Sequence, residues 1–115
     1  MKEVPTMRKA DRLQVYYKYG CHCAYCGRPI KYKAMQVDHI LAVMRGGKSI
    51  EENFYPSCRS CNATKATYTI EEFRERLVGD IYRLRRDSSK FRILERFGLV
   101  TATEDPLIFY FERQP

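Results

Sequence analysis

Residues 23–65 carry the sequence CAYCGRPIKYKAMQVDHILAVMRGGKSIEENFYPSCRSCNATK, and this stretch decides the fold. It contains two C-x-x-C pairs, Cys23/Cys26 and Cys58/Cys61. Each C-x-x-C turn holds two thiolates close enough together to bind the same metal ion, and two turns supply the four ligands of a closed tetrahedral zinc site. Four protein ligands leave no position for a substrate, so the pattern predicts a structural zinc ion that holds the two turns together.

The first cysteine turn leaves its ligand assignment open, because Cys21-His22-Cys23 offers three candidate ligands in a row. Cys23 has the two-residue spacer to Cys26 and is the favoured ligand, although Cys21 or His22 could take its place. The chain has five cysteines, which fits a four-thiolate site and one spare thiol. Paired cysteines in a reducing compartment favour metal binding over disulfides.

Polar residues that could perform chemistry lie between and beside the two cysteine turns. A neutral histidine such as His39 can accept a proton from water near neutral pH. Asp38 and Asn62 carry oxygen ligands of the kind that magnesium prefers, and a bound divalent ion can act as a Lewis acid on a phosphate. Each residue also has an ordinary structural explanation, since an Asp-His pair can satisfy itself and Asn53 could simply cap a turn.

The order of predicted elements around the cysteines is strand, loop, strand, helix, which is an α+β arrangement of the ββα type. Hydrophobic alternation and turn residues predict the following elements in this segment: a strand within Ile30–Ile40, a loop over Leu41–Ile50, a helical turn at Glu51–Asn53, a short strand at Phe54–Tyr55 and a helix over Arg59–Ala66. A flanking helix is predicted before the first turn, at Arg8–Tyr19, with Gly20 closing it in a left-handed conformation.

Residues 1–115 are predicted to form a single domain, with a core module at about 20–66 and a C-terminal extension at about 69–112. The extension is predicted to contain two helices, from Thr69 to about Arg86 and from about Ser89 to Gly98. A C-terminal β-hairpin is predicted to follow, with strands at Leu99–Thr103 and Leu107–Glu112.

The ordered set of motifs resembles the HNH endonuclease family, the ββα-metal nucleases, in its treble-clef-like zinc branch with four cysteine ligands. The resemblance covers about residues 8–66 and is carried by these residues: Cys23-x-x-Cys26, Asp38-His39-Ile40, Gly46-Gly47, Asn53 and Cys58-x-x-Cys61-Asn62-x-x-Lys65. The chain departs from the family pattern at two places. Asn62 stands where the third signature residue is often His, and Leu41-Ala42-Val43 lacks the proline that many members have after Asp-His-Ile.

The resemblance implies a metal-dependent endonuclease that hydrolyses DNA phosphodiester bonds. It assigns His39 as the general base and implies that Asp38 and Asn62 bind the catalytic ion, magnesium or another divalent cation. It also implies that Asn53 braces the loop that carries His39. Two rival interpretations remain: an inactive zinc-dependent module that only binds nucleic acid, and a zinc domain that binds other proteins.

The charge of the chain favours the nucleic-acid interpretations. Lys and Arg number 21 against 14 Asp and Glu, which gives a formal net charge of +7 and predicts a polyanionic partner such as DNA. Lys65, Arg83, Arg85 and Arg86 are the candidate phosphate contacts. The sequence shows no apolar run of membrane-spanning length and no signal-peptide pattern, which predicts a cytoplasmic protein without a membrane partner.

Overall fold

The computed structural model describes residues 7–115, and these divide into two compact units. The first unit comprises the chain up to Ile70 together with Ile108–Pro115, and the second comprises Glu71–Leu107. The expectation that residues 1–115 act as a single HNH domain remains a prediction. Among the described residues, no helix is both long enough and apolar enough to cross a membrane.

The first unit has the predicted α+β architecture, built on a two-stranded antiparallel sheet. Its helices and strands are α1 (Lys9–Tyr17), β1 (Gln36–His39), β2 (Phe54–Ser57) and α2 (Arg59–Lys65). In the sheet Asp38 lies opposite Tyr55, and His39 lies opposite Phe54. The ββα order of the prediction is therefore present, and β1 ends on the Asp-His pair.

The strand boundaries differ from the prediction at both strands. β1 begins later than expected because residues Tyr32–Ala34 form a 3₁₀ turn. β2 continues through Pro56 to Ser57, where a proline is tolerated because a two-stranded sheet consists of edge strands. Further 3₁₀ turns lie at Val43–Arg45, within the predicted loop, and at Glu51–Asn53 before β2, where the sequence predicts a helical turn.

A small apolar core joins α1 to the sheet. Val15, Met35 and Phe54 form its buried centre. Arg12 of α1 donates to the backbone oxygens of Tyr32 and Met35 at 3.0 and 2.7 Å, which ties the helix to the segment entering β1. Tyr25 and Phe109 are also buried, at 3% exposed each, and their rings pack edge-on, so the first cysteine turn has apolar contacts of its own.

The predicted C-terminal β-hairpin is wrong. Within the described residues the sheet has two strands, β1 and β2, and residues Tyr110–Arg113 form a 3₁₀ turn instead. The backbone amides of Tyr110 and Phe111 donate to Tyr25 and Ala24 of the first cysteine turn, at 3.0 and 2.8 Å. The aromatic run therefore finds its hydrogen bonds and ring contacts on the cysteine turn, and it needs no neighbouring strand.

The second unit is helical. Its helices are α3 (Ile70–Asp87) and α4 (Ser89–Arg96). The first residue of α3, Ile70, belongs to the first unit. The Ser88 hydroxyl accepts a hydrogen bond from the Phe91 amide at 3.1 Å and so caps the start of α4. Arg85 on α3 pairs with Glu95 on α4 at 2.9 Å. These two helices match the predicted ones closely, because capping and glycine signals are local in sequence.

Candidate functional site

The four predicted zinc ligands lie together in the first unit. The Sγ atoms of Cys23, Cys26, Cys58 and Cys61 all lie within 4.8 Å of one another. The Sγ atoms of Cys26 and Cys58 are 3.8 Å apart, close to the ~3.8 Å edge of a tetrahedron with Zn–S bonds of ~2.3 Å. Contact between the Cys23 and Cys61 thiols lowers the pKa of Cys23 and raises the pKa of Cys61, as expected for two thiols that share one proton when no metal is bound. Four sulfur donors at this spacing fit a structural zinc ion.

Local backbone geometry brings each pair of thiols together. Gly27 has a positive φ of 79°, which allows its amide to donate to the Cys23 oxygen at 3.0 Å and close the first turn. At the second turn Cys58 precedes α2, and its Sγ accepts from the amide of Cys61 at 3.4 Å. The Ala24 amide donates to the Pro56 oxygen at 2.8 Å, so the first turn is also attached to the sheet.

Cys21 and His22, the alternative zinc ligands at the first turn, lie outside the cluster of four thiols. Cys21 adopts a positive φ of 68° and is not a member of the four-thiol cluster. The His22 ring stacks on Tyr110 with centroids 5.4 Å apart, and its Nδ1 lies 3.2 Å from the backbone oxygen of Tyr19. The structure therefore places Cys23 in the cluster, as the two-residue spacer predicts.

Asp38, His39 and Asn62 converge on one cavity of about 180 Å³. β1 supplies Asp38 and His39, and α2 supplies Asn62 from the residue next to Cys61. The remaining lining residues are apolar: Val37, Ala42, Val43 and Ala66. Three of the four predicted catalytic residues thus share one concave surface.

Asp38 is nearly fully buried and is held by two donors from other segments. The Tyr25 hydroxyl donates to Asp38 Oδ2, and Lys65 Nζ lies 3.1 Å from Oδ2 and 3.4 Å from Oδ1. Burial raises the pKa of Asp38, while the Tyr25 and Lys65 contacts oppose that rise. Lys65 also donates to the backbone oxygen of His39 at 2.9 Å.

The prediction that Lys65 contacts nucleic acid does not fit this position. Its side chain is 0% exposed, and the ion pair with Asp38 and the bond to the His39 oxygen occupy its ammonium. A buried ammonium has no surface to offer a phosphate. Lys65 is better described as part of the Asp38 environment.

His39 is half-buried and its ring has two neighbours. Its Nε2 lies 3.0 Å from the Ser49 hydroxyl, and its ring packs edge-on against Phe54 at 5.1 Å. Sequence reasoning missed Ser49, because a serine in a polar loop gives no signal of its own. The two contacts fix the orientation of the imidazole beside the cavity.

Asn53 holds both ends of the loop that follows His39. Its Oδ1 accepts from the Leu41 amide, and its Nδ2 donates to the backbone oxygens of Leu41 and Lys48, each at 2.9 Å. Gly47 completes the closure, because a Cβ there would lie only 1.7 Å from the Leu41 oxygen. The loop geometry thus requires a glycine at this position, and Asn53 has the contacts expected of a bracing residue.

Residues 23–67 match the family model described as HNH endonuclease. This segment is an HNH domain. The match spans both cysteine turns, Asp38-His39, Asn53 and Asn62, so it includes every residue on which the resemblance rests. The four-thiol cluster agrees with the zinc-containing branch of the family.

The HNH domain and its surroundings are similar to parts of much larger proteins. The chain is 36% identical over 62 residues to the CRISPR-associated endonuclease Cas9 of Corynebacterium diphtheriae, which covers 53% of this chain and 6% of that protein. A crystal structure of the Type II-C Cas9 enzyme from Actinomyces naeslundii aligns with a TM-score of 0.54 at 24% identity, covering 90% of this chain and 14% of that one. The chain thus spans a small fraction of each relative, and the structural match shows a shared fold.

The three predicted phosphate-contacting arginines lie outside the HNH domain, on α3, and each has a carboxylate partner. Arg83 pairs with Asp80 at 2.9 Å, Arg85 with Glu95 at 2.9 Å and Arg86 with Asp87 at 2.7 Å. Their side chains are 41%, 37% and 70% exposed, respectively. Exposed pairs of this kind contribute little stability, so a phosphate could replace the carboxylates at small cost.

Proposed function

We propose that this protein is a divalent-metal-dependent endonuclease that hydrolyses DNA phosphodiester bonds at the cavity lined by Asp38, His39 and Asn62. The observation that carries the proposal is the convergence of a carboxylate, an imidazole and an amide on one cavity within an HNH domain. The similarity to a protein named as an endonuclease and the net charge of +7 support a DNA substrate. The proposal includes a reducing, cytoplasmic setting, which keeps cysteines available for metal.

The oxygen donors at the cavity fit a hard divalent ion such as magnesium. Asp38 Oδ1 accepts only the longer, 3.4 Å contact from Lys65 among the hydrogen bonds described. Within residues 7–115 the side chain of Asn62 makes no hydrogen bond, so its amide oxygen is available as a ligand. Carboxylate and amide oxygens with room for water and substrate are typical of magnesium sites. When bound, the ion supplies a Lewis acid for a phosphate oxygen and the leaving oxygen.

The residues of the chain have distinct tasks in this proposal. His39 removes a proton from the attacking water, and Ser49 and Phe54 hold its ring in place for that transfer. Asn53 fixes the loop that begins immediately after β1, so it acts on the base through the backbone. Asp38 and Asn62 hold the metal, and the thiol cluster joins the first cysteine turn to the start of α2, the helix that carries Asn62.

Conversion of supercoiled plasmid tests the proposal directly. Zinc-loaded protein should produce nicked or linear plasmid when magnesium is present and neither product when magnesium is withheld. The same gel separates single-strand nicking from double-strand cleavage. Absence of product with magnesium or manganese on any DNA tried would contradict the proposed activity.

One observation favours the alternative of an inactive nucleic-acid-binding module. Lys65 already balances the charge of Asp38 at 3.1 Å, which weakens the electrostatic need for a divalent ion there. In that case the protein should retard DNA in a mobility assay and leave the plasmid intact at every metal concentration.

Replacing Arg83, Arg85 and Arg86 together by alanine should weaken DNA binding by a similar factor on unrelated sequences. Phosphate contacts carry no sequence information, and removing each one should reduce the slope of log affinity against log salt by roughly one unit. The measurement is fluorescence anisotropy over a series of salt concentrations. A matched variant with Lys9, Lys31 and Lys33 replaced removes the same charge elsewhere and should change the slope less. Equal slopes for wild type and the arginine variant would assign these arginines to a solvated surface.

A further inference from the structure

Asp38 is contacted by one polar side chain from the first cysteine turn and by another from α2, the helix that follows the second cysteine turn. Tyr25 lies between Cys23 and Cys26 in the first cysteine turn, and its hydroxyl donates to Asp38 Oδ2. Lys65 is the last residue of α2, the helix that begins at the second cysteine turn, and its ammonium lies nearer to Oδ2 than to Oδ1. The two contacts leave Oδ1 as the less engaged oxygen of the carboxylate.

We propose that Tyr25 is a positioning residue for the catalytic metal: its hydroxyl holds Asp38 Oδ2 and leaves Oδ1 oriented for a divalent ion. This inference rests on the proposed function, because it concerns the same metal site. Its consequence is that the first cysteine turn orients a ligand of the catalytic ion in addition to binding zinc.

The surroundings of Tyr25 suit it to this task. Its side chain is 3% exposed, and its ring packs edge-on against Tyr55, Phe109 and Phe111 at centroid distances of 5.9, 5.5 and 6.1 Å. A ring enclosed in this way has one well-defined position, so its hydroxyl has one well-defined position as well. The 3₁₀ turn at Tyr110–Arg113 adds to this constraint, since the Tyr110 amide donates to the Tyr25 backbone oxygen at 3.0 Å.

The two donors on Asp38 differ in charge, and this separates their roles. The Lys65 ammonium neutralises the carboxylate and so competes electrostatically with a divalent ion. The Tyr25 hydroxyl is a neutral donor, which fixes the carboxylate without cancelling the charge that attracts the metal. Removing the hydroxyl alone should therefore lower metal affinity, although it removes no charge and no ring.

Tyr25→Phe tests the inference, with Tyr55→Phe as the matched control. Tyr55 belongs to the same aromatic cluster, but its hydroxyl is not among the donors to Asp38. Manganese serves as the probe: electron paramagnetic resonance of free Mn²⁺ gives its dissociation constant on the zinc-loaded full chain, and Asn62→Ala identifies the site being measured. Loss of a hydrogen bond to a charged group should weaken manganese binding roughly tenfold in Tyr25→Phe. Tyr55→Phe should bind manganese like wild type, and both variants should keep their zinc.

The outcomes distinguish this inference from the proposed function. Manganese affinity in Tyr25→Phe within about twofold of wild type would overturn the positioning role and leave the proposed function standing. Zinc loss in Tyr25→Phe would also overturn it, because the residue would then serve the cysteine turn itself. Wild-type protein without an Asn62-dependent manganese site would contradict the proposed function, and this inference with it.

Discussion

Replacing His39 by alanine should lower the rate of DNA cleavage by about 10²–10⁴-fold at every magnesium concentration. The expected size is that of a missing general base, and added metal cannot restore a missing proton acceptor. DNA affinity should remain close to wild type, because a general base contributes little to ground-state contacts with phosphate. Single-turnover plasmid cleavage gives the rate, and fluorescence anisotropy gives the affinity.

The His39→Ala variant should remain folded and zinc-loaded, which makes the comparison valid. Lys65 bonds to the backbone oxygen of His39, so removing the imidazole leaves that contact in place. Ser49→Ala is a useful companion, since it removes the hydroxyl 3.0 Å from Nε2 and should give a smaller loss of rate. If zinc-loaded His39→Ala cleaves as fast as wild type, the assigned base is wrong.

Removal of zinc should unfold the first unit. The four thiols join the first cysteine turn to the second, at the start of α2, and zinc binding in small domains contributes an apparent ~10–16 kcal/mol to folding. That contribution is as large as the whole stability of a typical domain, about 5–15 kcal/mol. Strong chelation followed by circular dichroism should show loss of the near-ultraviolet tyrosine signal, with recovery when zinc is added back.

Cysteine variants provide the controls for the zinc prediction. Cys58→Ser should abolish stable zinc binding and reproduce the effect of chelation, because Cys58 belongs to the four-thiol cluster. Cys21→Ser should keep about one zinc per chain, as expected of a closed four-cysteine site that excludes Cys21. Zinc loss in Cys21→Ser would show that the ligand set is misassigned. An unchanged melting temperature in protein shown by metal analysis to lack zinc would contradict the structural role.

Sequence reasoning succeeded where the determining signal is local. The spacing within each cysteine pair fixes the thiols on one turn, and the geometry of the first turn follows from the positive φ of Gly27. The order of β1, β2 and α2 was predictable because short hydrophobic runs are separated by clear loop signals. The bracing role of Asn53 is implied by the family resemblance and remains a prediction, and its three bonds to Leu41 and Lys48 are the contacts that such a role requires.

The failures involve contacts between residues distant in sequence. Lys65 suggested a surface charge, but the fold brings it to a carboxylate 27 residues earlier in the chain. The run Phe109-Tyr110-Phe111 has the apolar character of a strand, and only the folded cysteine turn reveals that its partners are Tyr25 and Ala24. No local pattern encodes either pairing, because each depends on how the two cysteine-bearing segments pack.

The burial of Lys65 also determines which metal-ligand variant is informative. Asp38→Ala would leave a fully buried ammonium without its carboxylate, and breaking a buried ion pair from one side costs about 3–5 kcal/mol. Loss of activity in Asp38→Ala would therefore not distinguish unfolding from loss of metal binding. Asn62 is half-buried and its side chain makes no hydrogen bond within residues 7–115, so Asn62→Ala should remove the proposed metal ligand with little structural change.

A magnesium titration of plasmid cleavage by wild type and Asn62→Ala tests the central claim most directly. The wild-type rate should rise with magnesium to a plateau, and Asn62→Ala should need at least about tenfold more magnesium to reach half of its own maximum, since its defect is one of metal affinity. Both proteins must carry zinc and melt at the same temperature. Superimposable curves, or no cleavage by wild type at any magnesium concentration, would contradict a catalytic ion held by Asn62 in this cavity.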